Sequence, residues 1–181
     1  MKLAILGIGS VDANTIHHIR KRLCAIFPKT VCVISNSETP APEDAYNSRR
    51  NQFHSSPILA KIHRYDEGLV ADRVLGITNA DLYVPRSNFV FGEAECPGKN
   101  AIISLHRLKP EFYGNPPNPT LFAQRSAKEA VHEIGHTLGL RHCRDSSCVM
   151  FFSNSILDTD RKKSTFCEKC CLLVVKYLSA V

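Results

Sequence analysis

Several things are missing from this 181-residue chain, and each absence excludes a class of protein. No secretory signal is visible: the opening MKLAILGIGS carries one basic residue and too short an apolar run for a signal core, and reads better as a buried strand. No segment reaches the roughly 20 apolar residues needed to span a bilayer. The C-terminal CLLVVKYLSAV is too short and holds Lys176 inside it. Internal repeats and low-complexity tracts are absent, which removes solenoids and disordered linkers. Gly7-x-Gly9 lacks the third glycine of a dinucleotide loop, since position 12 is Asp12. Charge of one sign is not dominant either: Lys plus Arg number 23 against 17 Asp plus Glu, an excess of 6 that is ordinary for a soluble protein and does not argue for nucleic acid. The expectation is a cytoplasmic monomer with no membrane or nucleic-acid partner.

What is present reads as one α/β domain. Leu3 to Ile8 is a continuous apolar strand, followed by a helical pattern from Asp12 to Phe27 with Ile16, Ile19, Leu23 and Ile26 on one side and Pro28 closing it. Thr30 to Ile34 is β-branched and strand-like, and Ser35 to Asp44 reads as a loop. A helix is expected over Ser56 to Tyr65, then strands at Arg73 to Thr78, Asn88 to Phe91 and Ala101 to Leu105. Leu108 to Gln124 holds four prolines and a Gly-Asn turn, and reads as an exposed connection. Ser126-Ala127-Lys128-Glu129 has the form of a capping box that would open the next helix. Alternation of this kind predicts an α/β layer with a mixed sheet.

The chemistry is concentrated in HEIGHTLGLRHCRDSSCVM, residues 132 to 150. His132 and His136 lie one helical turn apart, so two imidazoles can share one metal. Glu133 falls beside that position, where it can take a proton from a bound water. Gly139 permits the left-handed backbone that ends a helix, after which the chain can return His142 as a third ligand. Three nitrogens leave a fourth position for water, the arrangement of a catalytic zinc site. A bare HExxH arises often by chance on an exposed helix face; the extension to HExxHxxGxxH with a methionine eight residues on makes that reading a minor one.

Five of the eight cysteines fall in the last forty residues. Cys143-x4-Cys148 and Cys167-x2-Cys170, eighteen residues apart, have the layout of a closed structural zinc site, and in a reducing compartment such clustering suggests metal before disulfide. Cys171 competes with Cys170 for the fourth position; the two-residue spacing favours Cys170, and Cys171 is then expected to be a buried small residue.

Taken together, the HExxHxxGxxH run, the two cysteine pairs and Met150 resemble the archaemetzincins, a branch of the metzincin zinc peptidases. The resemblance implies a metzincin-like fold, with a mixed, mostly parallel twisted sheet, an antiparallel edge strand and backing helices. It implies an N-terminal subdomain, 1–139, that ends with the active-site helix. A smaller C-terminal subdomain, 140–181, then carries the third zinc ligand, a Met-turn at Met150 and a four-cysteine site. It further implies two zinc ions: a catalytic one on His132, His136 and His142 with Glu133 as general base, and a structural one on Cys143, Cys148, Cys167 and Cys170. A peptide or protein substrate would lie antiparallel along an edge strand formed by Asn88, Phe89, Val90, Phe91, Gly92 and Glu93. Two departures stand out. Sixteen residues separate Met150 from Cys167, one fewer than the family spacing, and Phe152 occupies a position where some metzincins place a tyrosine ligand.

Two functions from different classes fit these residues. One is a zinc metallopeptidase. The other is a non-catalytic zinc protein that contacts a partner or nucleic acid through its cysteine knob and the Arg161-Lys162-Lys163 run, a run expected to be a solvated surface loop. Glu133 favours the enzyme, because a purely structural zinc site has no use for an acid-base group beside it.

Overall fold

In the computed structural model, residues 1–35, 39–62 and 70–179 are described. The strands are β1 (Lys2–Ile8), β2 (Val31–Ile34), β3 (Tyr46–Asn47), β4 (Gln52–His54), β5 (Arg73–Thr78), β6 (Leu82–Tyr83), β7 (Gly92–Ala94) and β8 (Asn100–Ser104). The helices are α1 (Ala13–Ile26), α2 (Ser55–Ile62), α3 (Pro119–Thr137), α4 (Ile156–Arg161) and α5 (Glu168–Ser179). Five strands form the main sheet in the order β2-β1-β5-β8-β7. All neighbours run parallel except β7, which pairs antiparallel with β8 and forms the edge. A small second sheet pairs β3, β4 and β6.

The unbroken apolar run of β1 follows from burial on both sides. Leu3 and Ile5 pack with Ile19 and Leu23 of α1 and Ala130 and Ile134 of α3, whereas Ala4, Leu6 and Ile8 pack with Ile58 and Ile62 of α2. A strand covered by helices on both faces has no solvent side on which to place polar residues. Asp12 caps α1 by accepting from the Thr15 backbone N–H at 2.8 Å. Among the described residues no helix is long and apolar enough to cross a membrane.

Most expected elements lie within a residue or two of where periodicity put them. The expected helix Ser56 to Tyr65 is seen as Ser55–Ile62, its last three residues lying outside the described residues, as do 36–38 of the expected Ser35 to Asp44 loop. That loop also carries a short 3-10 turn at Glu43–Ala45.

Three expectations are corrected. Asn88 to Phe91 is not a regular strand; the ladder forms only at Gly92–Ala94. The carbonyls of Ser87 and Asn88 are taken by the Arg50 and Gln52 side chains, and Val90 makes a single bridge to Leu82. The active-site helix starts at Pro119, capped by Asn118, whose side chain accepts from Leu121 N at 3.0 Å, and the connection before it is partly 3-10 helix at His106–Leu108 and Pro110–Tyr113. Ser126 therefore lies inside the helix with its hydroxyl donating to the Phe122 carbonyl, and the capping-box pattern at 126–129 is coincidental. A true capping box occurs at Ser155 and Asp158, where α4 begins. Lastly, Lys162 in the middle of the basic run is 1 % exposed, so that run is solvated only at its two ends, Arg161 and Lys163.

The position of the α3 cap can be checked by stability. Asn118→Ala should lower unfolding free energy by about 1 kcal/mol. Ser126→Ala should cost clearly less, since it removes no cap; urea denaturation of both variants tests the order.

Candidate active site

The apolar face of α3 faces the sheet through Ala130, Val131 and Ile134, which turns His132, Glu133 and His136 toward an open cleft. His132 Nδ1 lies 2.7 Å from the Val149 carbonyl and His136 Nδ1 lies 2.7 Å from the Leu140 carbonyl. A carbonyl can only accept, so both Nδ1 atoms carry the proton and both Nε2 atoms present a lone pair. Those two Nε2 atoms face each other at 3.1 Å. With no proton between them the contact is unfavourable, unless a cation takes both lone pairs.

The third imidazole arrives by the turn that the glycine permits. α3 ends at Thr137 with Leu138 as its C-cap, Gly139 has φ +87°, and the chain reverses to bring the His142 ring 5.4 Å from that of His132 and 4.8 Å from that of His136. One nitrogen from each of the three lies within 4.8 Å of the others. Burial lowers the pKa of all three. For His132 the drop is large and is deepened by the Lys162 cation and then by His136; for His142, His136 and Lys162 act in the same direction. Each imidazole is thus held neutral, the form that binds metal. The donor set fits zinc in type and number.

Glu133 is 5 % exposed and faces β7 so closely that a Cβ on Gly92 would lie 2.6 Å from its Oε1. Burial pushes its carboxyl well above the usual range, and the nearby carboxylates of Glu129 and Glu93 push it in the same direction. Met150 is fully buried against the active-site helix, its sulfur where a Cβ on Gly135 would come within 2.5 Å. Phe152 stacks obliquely on His142, ring centroids 4.7 Å apart, and has no oxygen to offer.

The four sulfurs of Cys143, Cys148, Cys167 and Cys170 also lie within 4.8 Å of one another, while Cys171, expected to be buried, is exposed on the outer side of α5. Cys143 and Cys167 are 3.8 Å apart, and the Cys167 backbone N–H donates to the Cys148 sulfur. The backbone N–H of Cys170 lowers the Cys167 thiol pKa; burial raises those of Cys148 and Cys170. Because Cys143 directly follows His142, the two clusters share one turn of chain.

The cleft holds about 640 Å³. Asn88, Phe89, Val90, Phe91, Gly92 and Glu93 all line it, although only Gly92 and Glu93 belong to β7. The Glu93 carboxylate is occupied by the hydroxyls of Ser55 and Ser56, which ties the edge strand to the start of α2.

One buried pair had no signal in the sequence. Lys162 Nζ sits 3.0 Å from Glu129 Oε1, both side chains almost wholly buried, and also reaches the Phe151 carbonyl at 3.5 Å; the Thr159 hydroxyl donates to the same Glu129 oxygen. Glu129 lies one turn before Glu133, so the pair ties the active-site helix to the turn that carries Met150. A lysine within a basic run gives no hint of this, since burial here depends on packing α4 against α3.

Comparison with known proteins gives a consistent result. The profile of Peptidase family M54 matches residues 14–176. An archaemetzincin of Methanocaldococcus jannaschii is 45 % identical over 176 residues, covering 94 % of this chain and 90 % of its own. The crystal structure of archaemetzincin from Methanopyrus kandleri superposes with a TM-score of 0.85 at 35 % identity, covering 99 % of this chain and 96 % of that one. A zinc-dependent peptidase from Methanocorpusculum labreanum also gives 0.85, at 28 % identity over 95 % of this chain and 99 % of its own.

The buried pair makes a sharp stability forecast. Lys162→Met strands the Glu129 carboxylate in the core and should cost about 3–5 kcal/mol. Adding Glu129→Gln should recover most of that loss in chemical denaturation, which a simple packing defect at position 162 would not allow.

Proposed function

The chain belongs to Peptidase family M54, the archaemetzincins, and is a zinc metallopeptidase; from that premise we propose which residues perform the reaction. His132, His136 and His142 hold the catalytic zinc. The supporting observation is the facing pair of Nε2 lone pairs, fixed by carbonyls on the far side of each ring. When bound, zinc supplies Lewis acidity toward a water and a peptide carbonyl.

Glu133 acts as general base. Its carboxylate takes the proton from the attacking water and returns it to the leaving amine. The β7 edge crowds it through Gly92, which limits the directions in which it can turn. A peptide or protein substrate lies along that same edge, where β7 has a paired side toward β8 and a free side toward the cleft. Met150 supports the histidines from below. Cys143, Cys148, Cys167 and Cys170 hold a second, structural zinc, whose closed four-sulfur set leaves no position for water.

In this reading residues 1–139 form the N-terminal subdomain and 140–181 the C-terminal one, with the cleft between them. A nucleic-acid role finds no support, because the burial of Lys162 removes the middle of the basic run on which it would rest.

Elemental analysis of protein purified without added metal should find two zinc equivalents. Glu133→Gln should retain both and lose about two to four powers of ten in hydrolysis of a peptide that the parent cleaves and a chelator protects. Parent-like hydrolysis by zinc-loaded Glu133→Gln would remove Glu133 as the base. Cys167→Ser should lose one zinc and more thermal stability than His136→Ala does, since closed metal sites are coupled to folding.

A further inference from the structure

Among the described residues that line the cleft, Arg141 is the one arginine or lysine, and its guanidinium makes no hydrogen bond or ion pair there. The carboxylates that share the cleft are committed elsewhere: Glu93 to the hydroxyls of Ser55 and Ser56, Glu129 to Lys162, and Glu133 to the reaction. The backbone on either side of Arg141 is held. Leu140 is buried, and its carbonyl accepts from His136 Nδ1 at 2.7 Å and from the Cys96 thiol at 3.5 Å. His142 joins the histidine cluster. With both neighbours engaged, Arg141 is left exposed at a fixed place in the cleft wall.

The Cys96 contact also locates Arg141 along the cleft. β7 runs from Gly92, which packs against Glu133, to Ala94, and Cys96 follows just beyond its end. A Cβ on Gly139 would lie 3.6 Å from Pro97, so the chain after β7 rests on the turn that bears Arg141. A peptide antiparallel to β7, cut opposite Gly92 and Glu133, has its N-terminal half at this end. Extended chain from Gly92 to Cys96 covers about 13 Å, which puts Arg141 beside positions within about four residues of the cut, on its N-terminal side.

We propose that Arg141 is a specificity residue that selects an acidic side chain, Asp or Glu, on the N-terminal side of the scissile bond. The inference rests on the metallopeptidase reading of the cleft. A guanidinium presents a planar fork of donors that matches a carboxylate, and no carboxylate of the cleft competes for it. A Lys or Arg at the same substrate position would meet a like charge. Direction excludes the peptide's own C-terminal carboxylate as the occupant, since an antiparallel chain carries that terminus toward the Asn88 end.

The test begins with a cleavage profile of zinc-loaded protein on a randomised peptide mixture, followed by matched peptides with Glu, Gln or Lys at the selected position competing in one tube. The ratio read in this way does not depend on how much enzyme is active. Glu should be favoured over Gln by about three- to fivefold at low ionic strength, the effect of one partly exposed ion pair, and the preference should shrink toward unity in about 1 M salt. Arg141→Ala should bring the ratio near one, and Arg141→Glu should invert it so that Lys is cleaved faster than Glu, an inversion that a merely structural role for position 141 would not produce. Zinc-loaded Glu133→Gln, which keeps Arg141, gives the same Glu-to-Gln ratio and its salt dependence by fluorescence anisotropy of labelled peptides, should either variant fail to fold. If peptides are cleaved with no acidic preference before the cut, if the preference lies after the cut, or if both variants retain it, the proposal for Arg141 is overturned while the peptidase reading stands. If no peptide is cleaved or bound, the peptidase reading of the cleft falls and this proposal falls with it.

Discussion

The hydrogen bond between His132 Nδ1 and the Val149 carbonyl is the contact on which the geometry of the site depends. It does two things at once. It fixes the tautomer, so that Nε2 faces the cleft as an acceptor, and it pins the middle of α3 to the turn that carries Met150. The neighbouring bond from His136 to Leu140 does the same for the turn after the helix. Together they make the orientation of two imidazoles a property of the backbone, set before any ligand arrives. Glu129 and Lys162 repeat the connection one turn earlier, with a buried charge pair in place of an imidazole. The turns after the helix are thus joined to one face of it.

Close approach along that face is possible only where side chains are missing. At Gly135 the space of a Cβ is taken by Met150, and at Gly92 by Glu133 and the Ile102 carbonyl. Gly139 combines a positive φ with Tyr177 of α5 packed against it, so one glycine turns the chain toward His142 and seats the last helix. These positions explain why a helix-interior glycine is present at 135, where it costs about 1 kcal/mol relative to alanine. The cost is local. What it permits is the Met150 sulfur packed directly on the helix between His132 and His136 in sequence.

Legibility in the sequence followed the range of the interaction. The elements of the main sheet, α1 and the ligand spacing on α3 are local patterns, and His132, His136, His142 and the four clustered cysteines are brought together as that spacing implied. Long-range competition defeated the pattern elsewhere. Asn88 to Phe91 has strand-like residues, but Arg50 and Gln52 occupy the carbonyls a ladder would use. Ser126 to Glu129 has the form of a cap, yet Asn118 and Pro119 begin the helix two turns earlier and leave Ser126 inside it. The burial of Lys162 has no local signature at all.

The C-terminal helix shows why a sulfur cluster stands beside a histidine site. α5 buries only Cys170 and Val174, and leaves Leu172, Val175 and Tyr177 substantially exposed. Burial of one valine contributes about 1.5–3 kcal/mol, far too little to order twelve residues whose backbones alone cost about 1–2 kcal/mol each to fix. Helical hydrogen bonding and partial contacts, such as Tyr177 against Gly139, narrow the gap. A structural zinc on four sulfurs would contribute about 10–16 kcal/mol, comparable to the deficit. Two of its ligands, Cys143 and Cys148, lie in the turn between His142 and Met150, so whatever anchors α5 also fixes the third imidazole. On the proposed assignment, a metal that takes no part in hydrolysis sets the position of a ligand to the one that does.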